Sequence, residues 1–319
     1  MKRLLVLLAA LALAAPANAS YEERPEVKTF IRELVDRHGF VEEELKTLFS
    51  RVQRADPVLQ AILPQTQAQL TWDDYRATFL DDKRIEGGIA FWKANGRALA
   101  RAERRYGVPA QIVVAIIGVE TFYGRHTGRW RVVDALTTLA FDYPPRARFF
   151  RSELENYLLL ARDNGLDVFA VRGSYAGAIG IPQFMPGSAR RYAVDFDGDG
   201  AIDLRRSTAD AIGSVANFLR QHGWQPGGEV QVKARVEGEA WRALAAGFEP
   251  KHAIGDLANV GVRPEKPIDS PVALVDLGSE QRLGLHNFYV LTRYNRSALY
   301  ASAVADLAAA LKKNQSAGK

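Results

Sequence analysis

The 319-residue chain has no cysteine and only five histidines. The first absence excludes disulfides, Cys-ligated zinc, iron–sulfur clusters, thiol nucleophiles and any lipid carried on a cysteine. The second leaves little room for a histidine-rich metal site. Neither sign of charge dominates, since 42 Lys and Arg stand against 37 Asp and Glu. Long apolar runs are scarce too. The longest, Leu4 to Ala15, is shorter than the roughly 20 residues a bilayer span needs. What is present is ordinary for a globular protein, 47% hydrophobic and 25% charged, which excludes disorder and supplies a sizeable core. Chemistry must therefore rest mainly on carboxylates, hydroxyls and amides.

The N-terminus has the pattern of an export signal. Lys2 and Arg3 precede the apolar run, Pro16 breaks it, and Ala17-Asn18-Ala19 forms an A-x-A cleavage site before Ser20. Removal of residues 1–19 leaves 40 basic against 37 acidic residues, lowering the net charge from +5 to +3. Nucleic acid is a poor partner for an exported chain of that charge, and an anionic cell-surface polymer is more compatible.

Residues 21–105 read as helical, with Val27, Phe30, Ile31 and Leu34 at the spacing of a buried stripe. Pro57, Pro64 and Gly87-Gly88 are expected to punctuate this half. Residues 229–236 alternate with period two and predict a half-exposed strand. Residues 241–248 suggest a short helix and 272–275 another strand. An Ala/Leu-rich helix is expected over 298–313, with Asn314 to Lys319 frayed.

The segment 111–120 is apolar nearly all round and predicts a buried helix. Val113, Ile117 and Glu120 share one face, so the glutamate lies against packed aliphatics. Gly124 is the expected helix stop, which places Glu120 in the last turn. Burial and the negative end of the helix dipole both disfavour a carboxylate there and raise its pKa. A carboxylic acid kept protonated near neutrality suits general-acid catalysis. The competing reading is a glutamate that pairs with Arg125 or Arg129 and merely closes the helix.

Two loops follow. Ser174 to Pro186 is rich in Gly and Pro and reads as irregular, with Ser174 and Gln183 as its presentable polar groups, or else as a rigid turn without a ligand. Asp195-Phe196-Asp197-Gly198-Asp199-Gly200-Ala201-Ile202-Asp203 matches the front of an EF-hand loop. Asp195, Asp197 and Asp199 fill the first three acidic positions and Ala201 offers its carbonyl. Arg206 stands where the bidentate Glu belongs, and the nearest carboxylate beyond is Asp210. The expectation is a weakened structural calcium site, against an Asp/Gly surface turn with no metal.

Taken together, Gly118 to Gly128, Asp134 to Pro144, Gly180 to Pro186, Tyr192 to Gly200, Ala211 to Asn217 and Asn287 to Asn295 resemble the lytic murein transglycosylase B family, glycoside hydrolase family 103. The resemblance spans about residues 25–310. It implies an α+β, mostly α fold: a lysozyme-like helical core, a surrounding helical domain and a small β domain. On this chain the implied layout is a signal peptide at 1–19 and a helical domain at 20–105, joined by the helix 298–313. The catalytic core with its EF-hand-like loop covers 106–223, the β-containing domain 224–283, and a return to the catalytic groove 284–297.

The resemblance also implies cleavage of the β-1,4 bond between N-acetylmuramic acid and N-acetylglucosamine without water, with Glu120 as sole acid and base. No cofactor is needed for that chemistry. Ser174, Gln183, Arg146, Tyr294, Asn295 and Tyr300 match the family's substrate contacts, and Asp195, Asp197, Asp199, Ala201 and Asp210 its metal loop. Two departures stand out: Pro145 replaces an arginine, and Phe218 a tyrosine. An extra residue in 205–209 makes Asp210 the least secure ligand. The family often carries a lipidated cysteine after its signal, whereas Ser20 follows Ala19 here. The expected product is thus a monomeric, periplasmic enzyme on peptidoglycan with no membrane anchor. Its rivals are a water-using muramidase and a non-catalytic, calcium-stabilised peptidoglycan-binding protein.

Overall fold

A computed structural model describes residues 20–63 and 70–317; the expected signal segment and Pro64 lie outside the described residues. Six helices come first: α1 (Pro25–His38), α2 (Glu42–Arg51), α3 (Asp56–Ile62), α4 (Trp72–Phe79), α5 (Asp82–Ala94) and α6 (Gly96–Tyr106). Local sequence explains their ends. Pro25 opens α1, where a missing N–H costs nothing, and Gly39 closes it in the left-handed region. Thr71 and Asp81 cap α4 and α5 by accepting from the backbone N–H of Asp74 and Arg84.

The middle of the chain holds α7 (Ala110–Thr121), β1 (Trp130–Arg131), α8 (Val132–Asp142), α9 (Ala147–Asp163), β2 (Arg172–Gly173), α10 (Pro186–Tyr192) and α11 (Thr208–Gln221). Strands β3 (Gln231–Val236), β4 (Val262–Pro264), β5 (Ala273–Asp276) and β6 (Gln281–Gly284) form an antiparallel sheet in the order β4-β3-β6-β5, with α12 (Ile254–Asn259) between β3 and β4. Helices α13 (His286–Tyr294) and α14 (Ala298–Ala317) end the described chain. Among the described residues no helix is long and apolar enough to cross a membrane.

Three hydrophobic clusters hold these elements. One joins α1–α3 to α8 and α9 around Phe30, Phe49, Leu136, Phe150 and Leu154. A second gathers α7, α11, α13 and α14 around Ile116, Val215, Phe288 and Leu307, with Trp72, Leu99 and Ala102 from the earlier helices. The third fills the sheet domain with Trp241, Leu257, Val272 and Leu283. Residues 20–105 therefore do not pack as one unit: the helices before 63 and those after 70 enter different clusters.

Several local expectations are corrected. Gly87-Gly88 does not interrupt the chain but lies inside α5. A Cβ at Gly88 would overlap the Tyr123 hydroxyl and a Leu311 methyl, so close packing, not turn chemistry, selects glycine. The 241–248 helix is a 3-10 turn at Ala240–Leu244. Asn314 continues α14, where a frayed end was expected. Strands β4 and β6 escape the period-two pattern because they are short, and β6 buries Arg282 beside Glu280 and Asp306.

Glycine in a helix interior is normally a weakness of roughly 0.5–1 kcal/mol relative to alanine. At Gly88 the sign should reverse. Gly88→Ala is expected to cost about 1–3 kcal/mol through overpacking, read by urea or thermal unfolding. Gly96→Ala, with open space around the new Cβ, is expected to be neutral or stabilising. Equal behaviour of the two would refute the packing argument.

Candidate active site

Helix α7 is buried along nearly its whole length, from Ile112 to Gly118, and delivers Glu120 one residue before its end. It stops by an abrupt left-handed turn. Phe122 and Tyr123 adopt φ of 50° and 63°, ahead of Gly124 at 86°. Left-handed backbone at a non-glycine residue costs on the order of 1–2 kcal/mol, so the surroundings must enforce it. The stop is thus made by Phe122 and Tyr123 as well as by the expected Gly124.

Three sets of contacts hold the turn. The Phe122 N–H donates to Gly118 O, and the Tyr123 N–H to Ile117 O. The buried Thr121 hydroxyl donates to Ile181 O at 2.9 Å and accepts from Gly124 N at 2.9 Å, tying the turn to the loop at 180–186. The Tyr123 ring lies against Gly87, Gly88 and Gly118, and its hydroxyl donates to Arg84 O at 2.8 Å. Arg84 in turn donates to Gly118 O and covers the Phe122 ring.

The Glu120 carboxyl is half-buried at the base of this arrangement. Among the described residues it makes no ion pair, so the helix-closing role with Arg125 or Arg129 is not realised; those guanidinium groups lie over Phe122 and Trp130. Desolvation pushes its pKa up to about 7, opposed by the Tyr300 hydroxyl, which donates to Oε1 at 2.7 Å. A carboxylic acid half-protonated at neutrality is the result. The other motif carboxylate, Asp142, is engaged elsewhere: it accepts from Tyr21 Oη at 2.5 Å and pairs with Arg24 at 2.8 Å. It pins the N-terminal turn in place.

Phenols surround the acid. Tyr300 is buried, and burial and Glu120 raise its pKa well above the usual phenol value; the same two causes act on Tyr294. The two rings stack at 12°, and Tyr294 Oη donates to Pro182 O at 2.5 Å. Phe184 and Phe218 back Tyr294, so the residue without the hydroxyl fills an aromatic wall. Sequence reasoning missed Tyr75 on α4. Burial first and the facing Glu120 second raise its pKa to about 12. No motif marks Tyr75, because α4 comes near the acid only by packing on α14, a helix far along the chain.

Ser174 and Gln183 shape the neighbouring loop. Ser174 Oγ accepts from Ala176 N and Ala178 N, and Gln183 Nε2 donates to Thr127 O and Gly180 O. Arg146 and Asn295 are exposed, and neither touches Glu120: Arg146 sits over Phe149 and Phe150, and Asn295 ends α13.

In the acidic loop, the carboxylates of Asp195, Asp197 and Asp210 offer oxygens all within 4.8 Å of one another. Asp210, the least secure by spacing, is almost fully buried and belongs to the group; it also accepts from Phe196 N and Asp203 N. Asp199 does not converge with them. Its carboxylate accepts from Ala201 N within its own turn. A Ser207 hydrogen bond leads the causes that hold Asp197 below the usual carboxylate range.

A carboxyl of raised pKa, ringed by phenols on a mostly helical frame, has the chemistry of a general acid for glycan cleavage and matches the class of lysozyme-like enzymes. Comparison with known proteins narrows the class. The family model described as Transglycosylase SLT domain matches residues 22–309. The chain is 42% identical over 309 residues to the membrane-bound lytic murein transglycosylase B of Escherichia coli K12, covering 92% of this chain and 84% of that one. The crystal structure of the soluble lytic transglycosylase SltB1 from Pseudomonas aeruginosa superposes with a TM-score of 0.86 at 48% identity, covering 92% of this chain and all of that one. The Escherichia coli lytic transglycosylase Slt35 in complex with calcium gives 0.82 at 42% identity, covering 91% and 94%. The chain belongs to the SLT family of lytic transglycosylases.

The raised pKa predicts a pH-dependent stability. A carboxyl with pKa near 7 when folded and 4.5 unfolded favours the fold below about pH 4.5 and loses that contribution as pH rises through 7. Glu120→Gln is expected to melt with wild type at pH 4.5 and several degrees above it at pH 8. A constant difference across that range would contradict a desolvated acid. Tyr300→Phe removes the bond that favours the carboxylate, so the alkaline limb of the pH–rate profile should move to higher pH.

Proposed function

We propose that the chain cleaves peptidoglycan between N-acetylmuramic acid and N-acetylglucosamine without water, leaving 1,6-anhydromuramic ends. The observation that carries the reading is the isolation of Glu120. Ordinary glycosidases need two carboxyl groups, and among the described residues no second carboxyl bonds to Glu120 or shifts its pKa. Protonated Glu120 donates its proton to the glycosidic oxygen as the C1–O4 bond breaks. The carboxylate so formed takes the proton of the C6 hydroxyl as O6 attacks C1. The enzyme returns to its starting state with no water consumed. Attack within one sugar gains the high effective molarity of an intramolecular reaction.

In this reading Tyr300 orients Glu120 and Tyr294 forms the adjacent wall. Ser174 and Gln183 set the loop against which a sugar lies, and Arg146 and Asn295 act as outer contacts. The converging carboxylates of Asp195, Asp197 and Asp210 suit a hard cation, with the Ala201 carbonyl as a further ligand and Asp199 capping its own turn. A calcium ion there would tie the loop to α11 and has no part in the chemistry; the Slt35 complex with calcium supports it. The domain limits inferred from sequence beyond residue 105, export to the periplasm and a monomeric state complete the proposal.

Product mass is the decisive test. Digested sacculi are expected to give fragments one water lighter than hydrolysis products, and free reducing ends alone would sink the reading in favour of a muramidase. Glu120→Gln is expected to bind sacculi and lose roughly 10²–10⁴-fold in rate; wild-type release would reject Glu120 as the proton donor. For the loop, chelation is expected to lower the melting temperature and added calcium to restore it. Superimposable melting curves would reject an occupied site.

A further inference from the structure

The two-stranded ribbon β1–β2 borders a cavity of about 540 Å³ whose lining does not include Glu120, within the size range of ligand sites. Its wall is rich in arginine: Arg54, Arg129, Arg131 and Arg172, beside Trp130. The charges are poorly balanced. Arg54 pairs with Asp56 and Arg131 with Asp134, at 2.8 and 2.5 Å. Asp134 is already shared, accepting from Gln53 N at 3.1 Å. Among the described residues neither Arg129 nor Arg172 has a carboxylate partner within 4.0 Å; Arg172 donates to Arg129 O and Arg129 lies over Trp130.

The strand register sharpens the imbalance. Arg131 and Arg172 face each other directly across the antiparallel pair. Like charges in that position are destabilising unless something neutralises them. Arg131 Nη2 is also buried without an acceptor, a state that normally has an explanation. The ribbon cannot separate the two arginines by shifting. A Cβ at Gly128 would overlap the backbone of Gly173 and Ser174, so the two segments are in close backbone contact.

We propose that this cavity binds a carboxylate-bearing peptide, the stem peptide of peptidoglycan, an identification that rests on the function proposed above. Glycan strands offer no carboxylate of their own at amidated lactyl groups, whereas the peptides hanging from them do. Planar guanidinium groups recognise carboxylates in bidentate fashion, and the Trp130 ring supplies an apolar platform for the peptide between its charges. The acidic Asp134 in the wall disfavours a continuous polyanion and suits separate carboxylates. The ribbon is continuous with the loop beside the acid: Gly173 is followed by Ser174, which shapes that loop, and Gln183 of the same loop donates to Thr127 O ahead of β1.

The test is direct binding of free stem tetrapeptide, released from peptidoglycan, to the full-length enzyme by calorimetry. Arg129→Ala/Arg172→Ala is expected to weaken binding at least tenfold, and Arg129→Lys/Arg172→Lys less so, since charge remains but the fork is lost. Wild-type binding should also weaken as salt is raised. In turnover, the alanine pair should raise KM on peptide-bearing strands, with kcat kept, and the rise should be confined to those strands. Equal affinity of wild type and the alanine pair, or no wild-type binding at millimolar peptide, would overturn the proposal, as would an equal KM change on strands stripped of peptide. Binding is measured without turnover. A chain that binds peptide through these arginines but releases no anhydro product would refute the function and leave the pocket standing.

Discussion

The presentation of Glu120 depends on one steric fit, the Tyr123 ring seated against Gly87, Gly88 and Gly118. Two helices must come close for this to occur, and glycine on both is what lets them. Once seated, Tyr123 donates to the Arg84 carbonyl and so links α5 to the end of α7. That link holds two consecutive non-glycine residues in the left-handed region. The strain is small beside the burial of the ring and is typical of a site whose backbone is over-determined by its surroundings. Thr121 completes the clamp from the opposite side by joining the turn to the loop at Ile181. The acid at position 120 thus sits on a helix end that cannot fray.

The electrostatics follow from the same packing. Apolar surroundings desolvate Glu120 and favour its neutral form, while a single phenol hydroxyl pulls weakly the other way. Among the described residues no guanidinium pairs with it to restore the charge. The nearby arginines are occupied with aromatic faces: Arg84 and Arg125 both lie over Phe122. Cation–π contacts and, for Arg84, a backbone acceptor hold these two side chains aside. The phenols Tyr75, Tyr294 and Tyr300 can donate hydrogen bonds without adding charge, which is compatible with a carboxyl whose pKa is raised.

Much of the site was legible because it is written locally. The apolar run that ends at Glu120, the Gly/Pro-rich loop after Ser174 and the Asp/Gly loop at 195–203 each carry a pattern of their own. Legibility failed where the reason for a residue lies on a distant element. Gly87-Gly88 looks like a chain break in sequence and is a packing slot in space. Tyr75 belongs to the acid's surroundings through the contact of α4 with the core. Asp199 fits the loop motif yet turns inward on Ala201, while Asp210, displaced by one residue in spacing, rejoins Asp195 and Asp197 because α11 carries it back. Strand β6 was hidden by Arg282, whose burial is tolerated only because Glu280 and Asp306 face it.

By itself the sequence determined the helical character of the chain, the alternating strand at residue 231 and the buried helix that ends at Glu120. These are properties of periodicity and composition, and they need only neighbours a few residues away. The tertiary structure alone decided the left-handed turn at Phe122 and Tyr123, the lack of a cation at Glu120, the ring of phenols and the division of the first hundred residues between two cores. Each of these depends on which surfaces meet. That is fixed by steric fit between segments far apart in the chain, and the spacing of residues along one segment carries no record of it.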